Sequence, residues 1–227
     1  MDTARSIGHK TAARIGLSCL RFLPSLHRAG RCAIFLLLLM VTGCSSPLLD
    51  VIAKLSQYEL GDTGPAGGII VGNCYIDDHV YFIEAAPYGW YDDGDDPKAP
   101  WAPTGEVNIT TGATGTQVGD GLANTKKILQ EFGDPGDDYA AKLCDEHSVE
   151  RNGVTYDDWF LPSEETLIRF RKKLYNKGVG GFTENEDYWT STETWESYAY
   201  ADSFPAGSGG YDEGKYMDCR VRPVRMF

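Results

Sequence analysis

The sequence is poor in basic residues and in histidine. It has 21 Lys and Arg residues against 33 Asp and Glu residues, and four histidines among 227 residues. The first 43 residues hold six of the basic residues and one of the acidic residues, so the remainder has 15 basic and 32 acidic residues, a formal charge of −17. Binding of nucleic acid depends on clustered Lys and Arg that neutralise phosphates. The composition therefore argues against a nucleic-acid partner.

Catalytic motifs are also missing. After residue 43 the chain has two histidines, His79 and His147, and no His/Cys spacing typical of a zinc site. There is no G-x-S-x-G motif, and "GDTGPAGGIIVG" (residues 61–72) lacks the Gly-Lys-Ser/Thr ending of a phosphate-binding loop. Its glycines keep a collagen period for only two triplets. We predict that the protein is not an enzyme, and that residues 61–72 form a turn leading into the first strand.

The start of the chain has the pattern of an export signal. Basic residues precede the apolar run "CAIFLLLLM", which is too short to span a bilayer as a helix. The run ends in "VTGC" (residues 41–44), which resembles the lipobox of bacterial lipoproteins. The resemblance implies that residues 1–43 are a signal peptide, that Cys44 is acylated and that residues 44–57 are a tether. Acyl chains would anchor the protein to the bacterial cell envelope, and Ser45 favours the outer membrane.

The rest of the chain predicts strands, then helices, then strands. β-branched and aromatic residues predict two early strands at 67–76 and 79–87 and late strands at 187–193, 197–204 and 216–227. Apolar spacing and capping residues predict helices at 124–133, 137–147 and 162–178. Asn124 or Thr125 is the predicted N-cap of the first helix and Ser163 that of the third. The third helix has an expected buried stripe of Leu167, Phe170 and Leu174. This order indicates an α+β domain with one core.

Two acidic loops offer oxygen atoms of the kind that calcium binds. The first contains Asp92, Asp93, Asp95 and Asp96, and the second contains Asp134, Asp137 and Asp138. Neither has the spacing of an EF-hand, so calcium binding and plain solvation both stay open, and we assign no metal or cofactor. Thirteen Tyr and five Trp residues also allow sugar rings to stack on aromatic faces, although most of these rings are needed for the core.

Several segments, in their order along the chain, resemble one family. They are "YELGDTGPAGGIIV", "YFIEAAP", "TGTQVGDGLANTKKIL", "AAKLC", "DWFLPS", "YWTSTE" and the terminal "VRPVRMF". The series is similar to the Lcl C-terminal domain family of exported bacterial proteins and lipoproteins, and it covers residues 58–227. The resemblance implies a C-type-lectin-like fold, with a distorted antiparallel sheet, two to three helices, and pairing of the N- and C-terminal strands. It also implies a disulfide between Cys144 and Cys219, with Cys74 unpaired.

The family's namesake is a surface adhesin that binds sulfated glycans, but a body with a charge of −17 suits a polyanion poorly. The sequence also lacks the Glu-Pro-Asn, Gln-Pro-Asp and Trp-Asn-Asp signatures of calcium-dependent lectins. We therefore expect a non-catalytic, lipid-anchored surface protein whose domain binds a glycan or a surface protein. Two alternatives stay open: an envelope-interaction protein without a small ligand, and an enzyme related to the formylglycine-generating enzymes.

The ligand is expected on two connections, residues 88–101 and 194–215, because loops on a rigid scaffold carry function. Each connection combines aromatic and acidic residues. The candidate ligand-binding residues are Trp90, Tyr91, Asp93, Asp95, Trp195 and Tyr211. Their rings would stack on a sugar or on a partner, and their carboxylates would accept contacts from hydroxyl groups or a cation. The alternative is that the two tryptophans belong to the core and the aspartates are merely solvated.

Overall fold

The computed structural model describes residues 47–92, 94–175, 178–204 and 209–227. The predicted signal peptide and Cys44 lie outside the described residues, and so does Asp93. None of the helices that the structure describes is both long and apolar enough to cross a bilayer.

The described part of the chain contains helices in the predicted tether and in the body. They are α1 (Pro47–Leu55), α2 (Gly121–Phe132), α3 (Ala140–Asp145) and α4 (Glu164–Lys173). The predicted start of α2 is wrong, because Asn124 and Thr125 lie within the helix. Asn124 donates from Nδ2 to the carbonyl of Gly115 at 2.6 Å, and Thr125 Oγ1 accepts from the amide of Leu161 at 3.1 Å. Both side chains therefore hold neighbouring loops instead of capping the helix.

The helix α4 follows its prediction more closely. It begins directly after Ser163, although the hydroxyl of Ser163 donates to the carbonyl of Gln117 at 2.7 Å and does not cap a helical amide. The predicted stripe of Leu167, Phe170 and Leu174 is buried. The buried apolar face therefore positions α4 on the core, and the hydrogen bond from Ser163 to Gln117 connects the start of the helix to the loop that precedes α2.

The strands form three sheets. They are β1 (Ile69–Ile76), β2 (His79–Ala85), β3 (Lys98–Ala99), β4 (Val149–Arg151), β5 (Val154–Tyr156), β6 (Glu186–Trp195), β7 (Tyr198–Phe204), β8 (Gly210–Gly214), β9 (Cys219–Arg220) and β10 (Val224–Met226). The strand orders are β1-β2-β10, β3-β9-β6-β7-β8 and β4-β5. All pairs are antiparallel except β6 with β9. The α+β class is confirmed. The sequence patterns missed β3, β4, β5 and β8, which are short or mostly polar.

The glycine-rich segment before β1 forms a turn, as predicted. Gly61 and Gly67 both have a φ of +92°, a conformation that favours glycine. The buried carboxylate of Glu84 on β2 accepts from the amide of Gly68 at 2.7 Å, and it occupies the space that a side chain at Gly64 would need. Arg225 on β10 donates to the same carboxylate at 3.1 Å. One buried acid therefore joins the turn, β2 and the C-terminal strand.

The five-stranded sheet has an apolar cluster on each face. Side chains of successive strand residues point to opposite faces, and the neighbours Tyr188 and Trp189 on β6 lie in different clusters. The cluster around Trp189 includes residues of α2 and α3. The cluster around Tyr188 includes the apolar stripe of α4 and residues of the β1-β2-β10 sheet. Because both faces are covered, residues 188–193 of β6 are all buried.

The predicted disulfide between Cys144 and Cys219 is not present in the structure, where Cys74, Cys144 and Cys219 are free thiols. Cys144 and Cys219 are buried in the same apolar cluster. Burial raises the pKa of both thiols, which keeps them protonated and unreactive. In this environment each cysteine packs as a small apolar side chain, so the bridge implied by the family resemblance is corrected to two packed thiols.

Candidate functional site

A cleft formed by the described residues has a volume of about 700 Å³, within the range of ligand sites. It lies between the segment after β3, the loop before α3 and the turn after β8. Its lining residues are Pro100, Ala102, Thr104, Gly105, Val107, Gly136, Asp137, Asp138, Tyr216 and Asp218. The charged members of this lining are all aspartates. We call this feature the acidic cleft.

A buried lysine directly precedes the turn that lines the acidic cleft. Lys215 is fully buried, and its Nζ donates to Glu193 Oε1 at 2.6 Å. The same Nζ donates to the carbonyl of Ile109 and to that of Glu196, each at 2.7 Å. It also lies 4.7 Å from the ring centroid of Trp101. Lys215 therefore connects the loop that lines the cleft with the tip of the β6–β7 hairpin.

The charges of this pair are well satisfied. The carboxylate of Glu193 also accepts from the amides of Thr111 and Gly112, at 2.9 and 2.8 Å. Burial lowers the pKa of Lys215, and the neighbouring Glu193 carboxylate opposes that shift. Buried charges are tolerated when they are paired and hydrogen-bonded, so this pair can hold the loops in one arrangement.

Exposed aromatic residues lie at the tip of the β6–β7 hairpin and on the turn after β8, and one of them, Tyr216, lines the cleft. Trp195 and Tyr198 are cross-strand partners at the end of the β6–β7 hairpin, and Tyr198 is in turn paired with Gly214 on β8. The ring of Tyr216 lies against Gly214, since a methyl group at that position would be 2.6 Å from Tyr216 Cε1. The side chains of Trp195 and Tyr216 are each 68% exposed. We call Trp195, Tyr198 and Tyr216 the aromatic platform.

A second, smaller pocket of about 380 Å³ adjoins the acidic cleft. It is lined by Trp90, Tyr91 and His147 together with residues of α3 and its flanks, and Asp138 lines both this pocket and the cleft. Tyr91 is 55% exposed. Trp90 is half-buried and donates from Nε1 to the carbonyl of Val221 at 3.0 Å. We call this the Trp90 pocket.

The histidine of the Trp90 pocket is held between two indole rings. The ring centroid of His147 is 4.8 Å from that of Trp90 and 5.0 Å from that of Trp159. Its Nε2 is buried and has no hydrogen-bond partner among the described residues. Burial lowers the pKa of His147, so the packed form of the ring is the neutral imidazole.

The predicted ligand residues fall into separate places. Trp90 and Tyr91 line one pocket, and Trp195 belongs to the aromatic platform. The remaining two described residues do not join them. Tyr211 donates to Asp187 at 2.9 Å, while Asp95 accepts from Arg220 at 3.3 Å and from Tyr88.

The candidate ligand residues from the sequence do not include Tyr198, Tyr216 or Asp218, and Asp138 appears there only as a member of the second acidic loop. Tyr198 lies inside the predicted connection 194–215, and Tyr216 directly follows it. What distinguishes these two tyrosines is their exposure near the end of a hairpin, and a sequence does not show exposure. Asp137 and Asp138 belong to the second acidic loop, for which the sequence leaves calcium binding and plain solvation open. In the structure Asp138 is 3.6 Å from Lys142 on α3 and faces both pockets.

The first acidic loop neutralises buried arginines. Asp96 is fully buried and accepts from Arg222 Nε at 2.7 Å and from the hydroxyl of Tyr188 at 2.9 Å. Burial raises the pKa of Asp96, and Arg222 opposes the shift. Within the described residues no group of His, Cys, Asp and Glu side chains is arranged to hold a metal ion. In the described part of this loop, Asp95 and Asp96 therefore act as partners of Arg220 and Arg222.

The chain matches no family model, and no curated protein sequence matches it. Among solved structures it is similar to a fimbrial protein from Bacteroides ovatus, at 13% sequence identity and a TM-score of 0.46. The similarity covers 74% of this chain and 48% of that chain, so this chain spans about half of the fimbrial protein's length. A TM-score below 0.5 carries no argument about fold or function. The resemblance to the Lcl C-terminal domain family stays a prediction.

Proposed function

We propose that this protein is a non-catalytic, lipid-anchored protein of the bacterial cell surface that binds a glycan at the acidic cleft. The observation that carries the proposal is the position of Tyr216, whose exposed ring both lines the cleft and belongs to the aromatic platform. Soluble proteins seldom expose several large aromatic side chains side by side unless the surface binds something.

The chemistry of the cleft suits a polyhydroxylated ligand. Tyr and Trp combine an apolar ring face with a polar edge, so a sugar ring can stack on the platform while its hydroxyl groups remain solvated or bonded. The carboxylates of Asp137, Asp138 and Asp218 accept hydrogen bonds from hydroxyl groups, and the hydroxyl of Thr104 can donate or accept. An anionic ligand is disfavoured, because like charges brought together at an interface cost several kcal/mol.

The proposed domain type is C-type-lectin-like. Its support is the antiparallel pairing of β2 with β10, which joins the N-terminal hairpin to the C-terminal strand as the family resemblance implies. Fold alone does not determine function, so the glycan-binding proposal depends on the surface and not on the domain type.

The proposed anchor is Cys44. Mass spectrometry of the N-terminal peptide, from protein isolated with the bacterial membrane fraction, should identify a diacylated or triacylated cysteine at residue 44. An unmodified Cys44, or a mature chain that retains residues 1–43, would contradict the anchor without affecting the ligand proposal.

Glycan binding is tested on an array with the purified full-length protein. We expect a hit among uncharged or amino-sugar glycans, and Tyr216→Ala should weaken binding of that hit by at least about fivefold, or ~1 kcal/mol, the threshold for an important contact. The matched control is Tyr75→Ala, because Tyr75 is 59% exposed but lies on β1 and outside the cleft. Equal losses in both variants, or no hit on the array, would count against the proposal.

A further inference from the structure

The acidic cleft lies within a longer continuous surface. At one end, Asp138 lines both the cleft and the Trp90 pocket, so the two cavities share a wall. At the other end, Tyr216 lines the cleft and also covers Gly214, the cross-strand neighbour of Tyr198. Tyr198 is paired with Trp195. A ligand that follows this surface therefore passes from aromatic rings, through carboxylates, to aromatic rings again.

Resting on the glycan-binding function proposed above, we propose that the ligand is a linear, non-anionic oligosaccharide that occupies the Trp90 pocket, the acidic cleft and the aromatic platform together. Each end offers a strongly exposed ring: Tyr91 at 55% in the pocket and Trp195 at 68% on the platform. The cleft has aspartate as the only charged residue type in its lining, so it accepts hydrogen bonds from hydroxyl groups and repels sulfate or carboxylate groups.

Three features favour an extended chain over a single sugar. The cleft and the pocket have volumes of about 700 and 380 Å³, which give room for several units. Both cavities are open to the surface, as a chain that runs through them requires. Tyr91 lines the Trp90 pocket but not the cleft, and Trp195 lines neither cavity, so the two rings belong to different parts of the surface.

Linked subsites make a clear quantitative prediction. When one chain binds several subsites, the later contacts are intramolecular and raise the overall affinity. Each exposed end ring should therefore matter only for oligosaccharides long enough to reach it, whereas Tyr216, in the middle, should matter for all lengths.

The experiment is calorimetric titration of the full-length protein with a disaccharide-to-octasaccharide series built from the best uncharged array hit. We expect the affinity to rise at least about tenfold along the series. Tyr91→Ala and Trp195→Ala should each reduce this gain several-fold while leaving disaccharide binding unchanged, and Tyr75→Ala should leave the whole series unchanged. Since all three side chains are largely exposed, thermal midpoints should match that of the wild type, which excludes misfolding as the cause of a loss.

The outcomes separate this inference from the function on which it rests. The extended site would be overturned if the affinity did not depend on oligosaccharide length. It would also be overturned if Tyr91→Ala and Trp195→Ala both kept the full rise in affinity with length. In either case the proposal of glycan binding would stand. If a length-matched series of sulfated oligosaccharides bound more tightly than the uncharged series, the assignment of a non-anionic ligand would be overturned. Failure of every oligosaccharide to bind, with tight binding of an octalysine peptide instead, would overturn the proposed function itself.

Discussion

Replacement of Lys215 by methionine tests how much the buried ion pair between Lys215 and Glu193 contributes to the stability of the domain. The change removes the hydrogen bonds from Nζ to Glu193, Ile109 and Glu196 and leaves the Glu193 carboxylate buried. Loss of one partner from a buried pair costs about 3–5 kcal/mol, because the remaining charge is uncompensated. For a domain of this size, each kcal/mol lowers the thermal midpoint by about 2–4 °C, so we expect a fall of roughly 6–20 °C.

The controls separate the buried charge from the shape of the side chain. Lys98 forms an exposed ion pair with Glu186 at 2.6 Å, and Lys98→Met should have a much smaller effect, since exposed pairs contribute little. In the double variant Lys215→Met with Glu193→Leu, part of the lost stability should return, because no lone charge remains. Urea unfolding measures the free energies directly. A loss below about 1 kcal/mol in Lys215→Met would refute the assigned role of the pair.

Three further predictions concern the pocket, the turn and the core. Burial lowers the pKa of His147, so the unfolded chain binds the proton more readily than the folded chain. The free energy of unfolding should therefore fall as the pH drops below about 6.5. Urea unfolding at several pH values should show this fall in the wild type, and His147→Phe should lack the contribution of His147 to it. A side chain at Gly68 would overlap the backbone carbonyl of Ala85, so Gly68→Ala should destabilise the fold by about 1–3 kcal/mol. A side chain at Gly72 would meet no atom within 4 Å, so Gly72→Ala should not destabilise it. Equal effects of the two substitutions would contradict the steric account. Cys144 and Cys219 should react with a thiol reagent only after unfolding, and peptide mapping that finds them bridged would show the free-thiol arrangement to be wrong.

Strands and helices were predictable where one local pattern agreed with the packing. The β1–β2 hairpin has β-branched and aromatic residues throughout, and α4 carries its apolar stripe at helical spacing. The N-cap of α2 was mispredicted because the side chain of Asn124 bonds to Gly115 in the preceding loop and to Ser191, which is 67 residues away along the chain. Local propensity cannot reveal such tertiary partners.

The candidate site was only partly predictable for a similar reason. Aromatic and acidic composition drew attention to Trp90, Tyr91 and Trp195, which the structure leaves at least partly exposed. It could not distinguish Asp95 and Asp96, which pair with arginines near the C-terminus. Those arginines lie more than 120 residues away along the chain. Whether an aspartate is a counter-ion or a ligand depends on that long-range pairing, and the pairing exists only in the folded chain.

Chemical-shift mapping of the isotope-labelled protein with the best-binding oligosaccharide tests the central claim most directly. The account predicts that the largest amide shifts cluster at Asp137, Asp138, Tyr216 and Asp218, which line the acidic cleft, while amides of β1 and β2 remain unchanged. Shifts concentrated on the β1-β2-β10 sheet, with none at the cleft, would contradict it.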